Sequence, residues 1–416
     1  MELQGKGTMT INIDQSPLQS ALIGRQAILD VKQEIYAYEL LYRDGNQNRA
    51  SILDGNEATA RVLVNTFCEM GLEQIVDQSK AFINMTDALF LDHLYEILPP
   101  EQVVLEVLET VDPTPEMIQS IKKVRDQGYQ VALDDFVFGE AYRELVELAN
   151  FIKMDVMALT IPQLEAQVKV LQSYPVQFLA EKVESHEVFV QCQKLGFALF
   201  QGYYFCKPEI IKGTRLSNNR MSLVLLLAKL QQEDITIPEL EELIKTDLAL
   251  SVKLLRYVNS AFVGLPKSVD TISQAICMVG TDRMRQWASV MVLANFETKP
   301  VELMRIALVR ARMCEEVCRE KSIPSGPGFT VGLFSVLDAF FDCEMSQLME
   351  QLPLSGAIQL ALLERKGELG EVLENVVAYE QTRWEAMDGS HTSLSQLRNI
   401  YWQSIAWTDQ VLKSFR

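Results

Sequence analysis

Short apolar runs separated by segments of helical period make up the first half of the chain. Eight runs have the length and composition of strands, and they cover residues 21–30, 35–44, 81–85, 103–109, 129–135, 151–155, 176–184 and 197–205. The first two form a near-hairpin. Segments with apolar residues three or four apart and a glycine near the end separate most of the others, as at 57–72, 113–128 and 185–196. This alternation predicts a (β/α)8 barrel, an α/β fold, in preference to an open doubly wound sheet.

From about residue 211 the pattern becomes helical throughout. Helical spacing covers 221–232, 238–262, 268–280, 282–296, 301–313 and 329–341, with loops predicted at 324–328 and 353–356. Thr236 and Thr281 are predicted helix caps. We therefore predict three parts: a disordered tail at 1–17, a barrel at 18–210 and an all-α domain at 211–416.

Composition and charge narrow the possible partners. The 416 residues are 48% hydrophobic, yet no apolar stretch is long enough to span a bilayer, and residues 1–10 lack the pattern of a signal peptide. These features predict a soluble cytoplasmic protein without membrane contact. The formal net charge of −18 disfavours direct DNA binding. Seven scattered cysteines indicate reduced thiols, and we expect a structural role for Cys314 and Cys318, one helical turn apart.

Polar residues close seven of the eight predicted strands. They are Glu39, Asn84, Glu106, Asp134, Lys153, Glu181 and Gln201. One polar strand end marks only where a chain meets water, but seven at the end where barrel enzymes keep their chemistry favour a functional site. Carboxylate and amide oxygens suit Mg2+, Mn2+ or Ca2+, and two ions bridged by Asp134 and Asp135 would suit hydrolysis of a phosphodiester.

Short motifs in this half recur in the order of a known family. They are E-L-L-x-R at 39–43, F-I-N at 82–84, E-V-L-E at 106–109, L-D-D-F at 133–136, I-K-M-D at 152–155, A-E-x-V-E at 180–184 and Q-G-Y at 201–203. Over roughly residues 18 to 210 the chain resembles the EAL domain, a barrel that hydrolyses the bacterial messenger cyclic di-GMP to a linear dinucleotide.

The resemblance assigns expected roles to individual residues. The Mg2+ or Mn2+ ligands would be Glu39, Asn84, Glu106, Asp134 and Asp135. In an active enzyme Lys153 would orient water and Glu181 would be a metal ligand or the general base. Contacts to cyclic di-GMP would come from Gln26, Arg43, Asp155 and Gln201, and Glu109 would brace the loop after Asp135.

The sequence departs from the EAL pattern at several supporting positions. Val137-Phe138-Gly139-Glu140 stands where active members continue with Gly-Thr-Gly-Tyr, and Lys182 replaces the usual glycine. Leu40 and Ala27 also differ from the family residues. A site whose ligands remain but whose support is altered can bind without turnover. Active EAL barrels often pair through the region after the fifth strand, so the oligomeric state, including a homodimer, stays open.

The helical half resembles the HDOD domain, a relative of the HD hydrolases that has lost their metal site. The likeness rests on the segments 243–265, 271–280 and 329–341. No histidine occurs between 187 and 390, and Leu337 precedes Asp338 where a His-Asp pair would be sought. An interaction or regulatory role for this half is the expectation that remains.

Three functions follow from the combination, which resembles a two-domain family of bacterial signalling proteins linked to motility and biofilm control. The first is a degenerate EAL receptor or scaffold that signals through the helical half to a protein partner. The second is an active Mg2+- or Mn2+-dependent cyclic di-GMP phosphodiesterase. The third is an interaction protein that needs no nucleotide.

Overall fold

A computed structural model describes most of the chain. The described residues are 21–44, 72–91, 93–207, 218–232, 234–260, 263–294, 296, 299–387 and 392–415. The predicted tail at 1–17 and the predicted helix at 57–72, except for its last residue, lie outside them.

Eight strands form a closed barrel in chain order. They are β1 (Ala21–Asp30), β2 (Ile35–Asp44), β3 (Lys80–Met85), β4 (Val103–Val107), β5 (Gln130–Leu133), β6 (Phe151–Asp155), β7 (Gln177–Glu181) and β8 (Leu199–Gln201). Strand β1 runs antiparallel to both β2 and β8, and the other neighbours pair in parallel. The predicted barrel and near-hairpin are therefore confirmed.

Helices cover the outside of the barrel. Among the described residues they are α1 (Leu72–Val76), α2 (Asp87–Leu91), α3 (Pro115–Asp126), α4 (Arg143–Leu148), α5 (Ile161–Leu171) and α6 (His186–Lys194). The hydroxyls of Thr114 and Ser185 cap α3 and α6, and the glycines predicted to follow them, Gly128 and Gly196, have φ values of 93° and 96°. Both predicted helices are confirmed.

The second half is all helical in its described parts. Its helices are α7 (Asn218–Leu230), α8 (Ile237–Lys245), α9 (Leu248–Val258), α10 (Ile272–Val279), α11 (Thr281–Leu293), α12 (Val301–Glu320), α13 (Ser325–Phe334), α14 (Leu337–Phe341), α15 (Met345–Gln351), α16 (Gly356–Glu364), α17 (Gly367–Glu380) and α18 (Leu394–Phe415). No described helix combines the length and the apolar character needed to cross a membrane.

Three local predictions in this half are wrong. The segment 238–262 is two helices, because the Asp247 carboxylate accepts a hydrogen bond from Leu250 N and starts a new one. Thr281 is the first residue of its helix and not the cap, since Gly280, with φ 91°, takes that position. The stretch 324–328 is not a loop, because a helix begins at Ser325 after Pro324. The predicted cap Thr236 is confirmed.

The cysteines of the described residues are free thiols. Cys314 and Cys318 are fully buried on α12. Burial raises the pKa of Cys318 to about 11 and raises that of Cys314 as well, so both are neutral apolar side chains at neutral pH. This placement agrees with the structural role expected of them.

Candidate active site

A layer of apolar side chains fills the inside of the barrel and carries the polar layer above it. One residue from each strand contributes to this apolar layer: Ile28, Ala37, Phe82, Val104, Ala132, Phe151, Leu179 and Leu199. Side chains alternate along a strand, so the next inward position lies two residues away. Toward the same rim that position is polar in every case: Gln26, Glu39, Asn84, Glu106, Asp134, Lys153, Glu181 and Gln201. Strand β1 runs in the opposite direction, which is why its polar residue precedes its apolar one.

Lys153 lies at the centre of this polar layer. Its side chain is fully buried, and Nζ is 2.6 Å from Asp134, 2.8 Å from Glu106, 3.0 Å from Glu181 and 3.4 Å from Glu39. Burial alone would lower the pKa of Lys153, but these carboxylates raise it well above its usual value. One ammonium therefore faces four acidic groups.

The ionised form is disfavoured for three of these acids. Burial raises the pKa of Glu106 well above its usual value, raises that of Asp134, and raises that of Glu181 to about 8. Lys153 opposes the shift in each case, whereas the neighbouring carboxylates add to it. With Lys153 as the cation among them, full ionisation of all four acids is disfavoured, and protons are retained on some of them.

Glu39 differs from the other three because it is well hydrogen-bonded. The Gln201 amide donates to Glu39 at 2.5 Å and to Gln26 at 2.8 Å, and the Asn84 amide donates to the other Glu39 oxygen at 3.1 Å. Burial raises the pKa of Glu39, but Lys153 and these amides outweigh it and leave the pKa lowered. Glu39 is thus the carboxylate most firmly ionised and positioned.

The oxygens left over at this rim fit a divalent cation. Register places Asn84 directly beside Glu106 on neighbouring strands. Among the described residues no hydrogen bond reaches Asn84 Oδ1, Glu106 Oε2, Asp135 Oδ1 or Glu181 Oε2, although all four atoms are buried. Hard oxygens of this kind suit Mg2+ or Mn2+. No cluster of three or more acidic, cysteine or histidine side chains among the described residues is arranged as a ready-made metal site, and Lys153 contacts the other carboxylate oxygen of both Glu106 and Glu181.

A second cation stands at the outer edge of the site. Lys182 Nζ is 2.5 Å from Asp155 and 3.8 Å from Asp135. Asp155 also accepts hydrogen bonds from Met157 N and Ala158 N. Burial opposes ionisation of Asp155, but Lys182 and these amides lower its pKa. The backbone of Lys182 has φ 56°, the left-handed region in which glycine is favoured.

The altered loop after β5 is fastened to the outside of the barrel. Phe138 N donates to the side chain of Gln167 on α5 at 2.8 Å, and the Phe138 ring lies 6.4 Å from the ring of Tyr174. Val137 is 54% exposed. Phe136 N donates to the carbonyl of Lys153 at 3.0 Å. Phe138, which stands where the family has threonine, thus anchors the loop, whereas Val137 in place of the glycine is exposed.

Two other predicted residues are not brought into the site by the described contacts. Arg43 pairs with Leu22 in the β1–β2 register, and its side chain is outside the description. Glu109 is exposed and makes no hydrogen bond or ion pair with a described residue, so its bracing role stays a prediction.

The pairing of Lys182 with the two aspartates was not predicted. Asp155 and Glu181 are register partners on β6 and β7, so the residue after Glu181 necessarily lies near Asp155. Strand register could have shown this contact in advance.

Comparison with solved structures gives low-scoring likenesses to EAL proteins. The Klebsiella pneumoniae BlrP1 calcium/cyclic di-GMP complex matches with a TM-score of 0.39 at 22% identity, covering 47% of this chain and 57% of that one. An EAL domain protein from Listeria monocytogenes matches with a TM-score of 0.34 at 20% identity, covering 46% of this chain and 93% of that one.

Sequence comparison covers both halves. The EAL domain family matches residues 60–208 and the HDOD domain family matches residues 221–370. The cyclic di-GMP phosphodiesterase CdgJ of Vibrio cholerae is 34% identical over 90% of this chain and 88% of its own length. The protein YuxH of Bacillus subtilis is 31% identical over 94% of this chain and 98% of its own length. The chain therefore belongs to the family of bacterial proteins that join an EAL domain to an HDOD domain.

Proposed function

We propose that the barrel binds cyclic di-GMP and hydrolyses it to the linear dinucleotide with Mg2+ or Mn2+. The observation that carries this proposal is the polar layer, in which all eight inward positions at one rim are polar and four carboxylates surround Lys153. The similarity to the Vibrio cholerae protein, which is named a phosphodiesterase, supports it.

The metal ligands in this proposal are Glu39, Asn84, Glu106, Asp134 and Asp135. Three of them, Asn84, Glu106 and Asp135, have buried oxygens that no hydrogen bond from a described residue reaches. When bound, divalent ions lower the pKa of water and neutralise charge on a phosphodiester.

The remaining residues of the layer have distinct roles. Lys153 holds Glu106, Asp134 and Glu181 within 3.0 Å of its ammonium and so fixes the carboxylates in place before a ligand arrives. Glu181, with a pKa near 8, can take up and release a proton close to neutral pH, as a general base must. The Gln201 amide holds Gln26 and Glu39 at fixed positions beside each other.

A receptor that binds cyclic di-GMP without hydrolysis is the second candidate. Lys182 favours it, because its ammonium lies close to Asp135, one of the proposed ligands, and pairs with Asp155. A tethered cation there would compete with a divalent ion for the same oxygens. In this case the helical half would pass the signal to a protein partner.

The test is chromatographic detection of linear dinucleotide after incubation of the full chain with cyclic di-GMP and Mn2+. Wild type, Glu39→Ala and the control Glu140→Ala are compared, since Glu140 is an exposed carboxylate that pairs with Arg143 on the surface. Product from wild type and control but not from Glu39→Ala supports hydrolysis.

Binding without product in the same samples would support the receptor. No cyclic di-GMP binding by the wild type and no product from it would contradict both candidates and leave a role that needs no nucleotide.

A further inference from the structure

The first two strands of the barrel, β1 and β2, carry site residues on one face and contact the helical half through the other. On β1 and β2, Gln26 and Glu39 point inward, so their chain neighbours Arg25 and Tyr38 point outward. Tyr38 is 2% exposed, and its hydroxyl donates a hydrogen bond of 3.0 Å to Glu302 at the start of α12. The Arg25 guanidinium lies 4.4 Å from the centre of the Tyr38 ring.

Glu302 is itself fixed by the helical half. Arg305 Nε is 3.3 Å from the Glu302 carboxylate, and Arg305 also pairs with Asp409 on α18. Burial and the Glu302 charge raise the pKa of Tyr38, which keeps its hydroxyl a neutral donor. The contact therefore ties the β2 strand to two helices of the second half.

Strand β8, which carries the site residue Gln201, is also followed by a residue that contacts the helical half. Tyr203, two residues after Gln201 of β8, donates from its hydroxyl to the carbonyl of Glu380 at 3.4 Å. The Glu380 carboxylate receives two hydrogen bonds from Arg310, at 2.6 and 2.9 Å. Arg310 and Glu302 lie on the same helix, α12.

The helical half packs closely against the backbone of β1. A Cβ atom added at Gly24 would lie 2.7 Å from Thr382 Cγ2 and 3.5 Å from the ring of Trp384, both in the helical half. We call the contact made by Arg25, Tyr38, Tyr203, Glu302 and Glu380 the seam. Little room exists for the barrel strands to shift along it.

The seam lies directly behind the three site residues that hydrogen-bond to one another. Gln26, Glu39 and Gln201 are linked by the Gln201 amide, and each belongs to one of the strands β1, β2 and β8. The other carboxylates around Lys153 come from β4, β7 and the end of β5.

We infer that Tyr38 and Glu302 are positioning residues that hold Glu39 in place for the metal from the helical half. This inference deepens the proposed function and rests on it for its metal readout. By the reciprocity of linked equilibria, a ligand that fixes Glu39 also strengthens the seam.

The experiment uses three full-length variants beside wild type. Tyr38→Phe deletes the hydroxyl, and Glu302→Gln keeps an oxygen that can accept from it. Tyr129→Phe is the matched control, since Tyr129 is a buried barrel tyrosine whose hydroxyl donates to the carbonyls of Tyr95 and Leu98 away from the seam. Mn2+ affinity is measured by calorimetry, and hydrogen exchange is followed in β1 and β2 without added metal.

Tyr38→Phe is expected to lower Mn2+ affinity about ten-fold, the lower end of the range for residues that support metal ligands indirectly. It is also expected to speed exchange in β1 and β2. Glu302→Gln and Tyr129→Phe should both keep the Mn2+ affinity and the exchange rates of β1 and β2 near the wild-type values.

Two outcomes overturn the inference. One is unchanged exchange in β1 and β2 of Tyr38→Phe, and the other is an equal loss of Mn2+ affinity in Tyr129→Phe, which would indicate general destabilisation. Failure of the proposed function is recognised separately, as wild-type protein that binds Mn2+ no better than Glu39→Ala. In that event the hydrogen-exchange measurement still tests whether Tyr38 and Glu302 hold β1 and β2 in place.

Discussion

Replacing Lys153 with methionine removes the ammonium group at the centre of the polar layer. The side chain has no exposed surface, and its ammonium lies between 2.6 and 3.4 Å from four carboxylates. Methionine is similar in length and apolar, so the change deletes charge with little change in volume. The carboxylates that remain would be buried without a counter-charge.

The size of the effect follows from the cost of an unpaired buried charge. Removing one partner of a buried ion pair costs about 3–5 kcal/mol. Burial raises the pKa values of Glu106 and Glu181, so both can take up protons and reduce the loss of stability. We therefore expect a loss of unfolding free energy at the lower end of this range. At about 2–4 °C per kcal/mol for a domain of 150–250 residues, the melting temperature of the barrel should fall by on the order of 10 °C.

The assay is thermal unfolding in EDTA and in Mn2+, with hydrogen exchange assigning the transition to the barrel. Lys122→Met is the control, because Lys122 is 47% exposed and lies 3.6 Å from Glu144, a surface pair of the kind that contributes little. Mn2+ should raise the melting temperature of Lys153→Met more than that of wild type, since the ion replaces the missing charge. Equal melting temperatures of the two variants in EDTA would refute the reasoning.

Three further predictions concern residues in and around the site. Lys182→Gln should raise the number or affinity of bound Mn2+ ions several-fold in a calorimetric titration, because its ammonium no longer competes at Asp135; an unchanged titration would contradict this. The pKa of Glu181 is raised to about 8, so the folded protein holds a proton that the unfolded chain releases above about pH 4.3. The free energy of unfolding in EDTA should therefore fall as pH rises toward 8. Glu181→Gln should reduce this dependence of the melting temperature on pH. Gln167→Ala should speed hydrogen exchange at Phe138, and equal exchange would show that the ring alone anchors the loop.

The barrel and its polar layer were predictable because both follow from short-range periodicity. Alternation of inward and outward residues fixes which side chains share a face, and closure of eight strands brings their ends to one rim. Glu106 and Lys153 could therefore be assigned to one site although they lie on separate strands. Their distance of 2.8 Å, and the central position of Lys153, required the folded structure.

Features that depend on long-range packing left no comparable signal. Tyr38 and Glu302 are 264 residues apart, and nothing near either residue distinguishes it from an ordinary strand tyrosine or helix glutamate. Thr281 was a wrong prediction for a local reason, since Gly280 and Thr281 both suit a helix start and only the backbone angle of the glycine decides between them. A hydroxyl at a helix start is a preference and not a requirement.

The opening hairpin explains why the two halves belong in one chain. The EAL family match begins at residue 60, yet β1 and β2 end before it and supply Gln26 and Glu39 to the polar layer. A barrel from residue 60 alone would lack two of the eight inward residues and would expose the strands on either side of the gap. The same hairpin gives Tyr38 to the helical half, so the strand that carries Glu39 is in direct contact with α12. Control of the site by the second domain would need no added element, only a change in the seam already present.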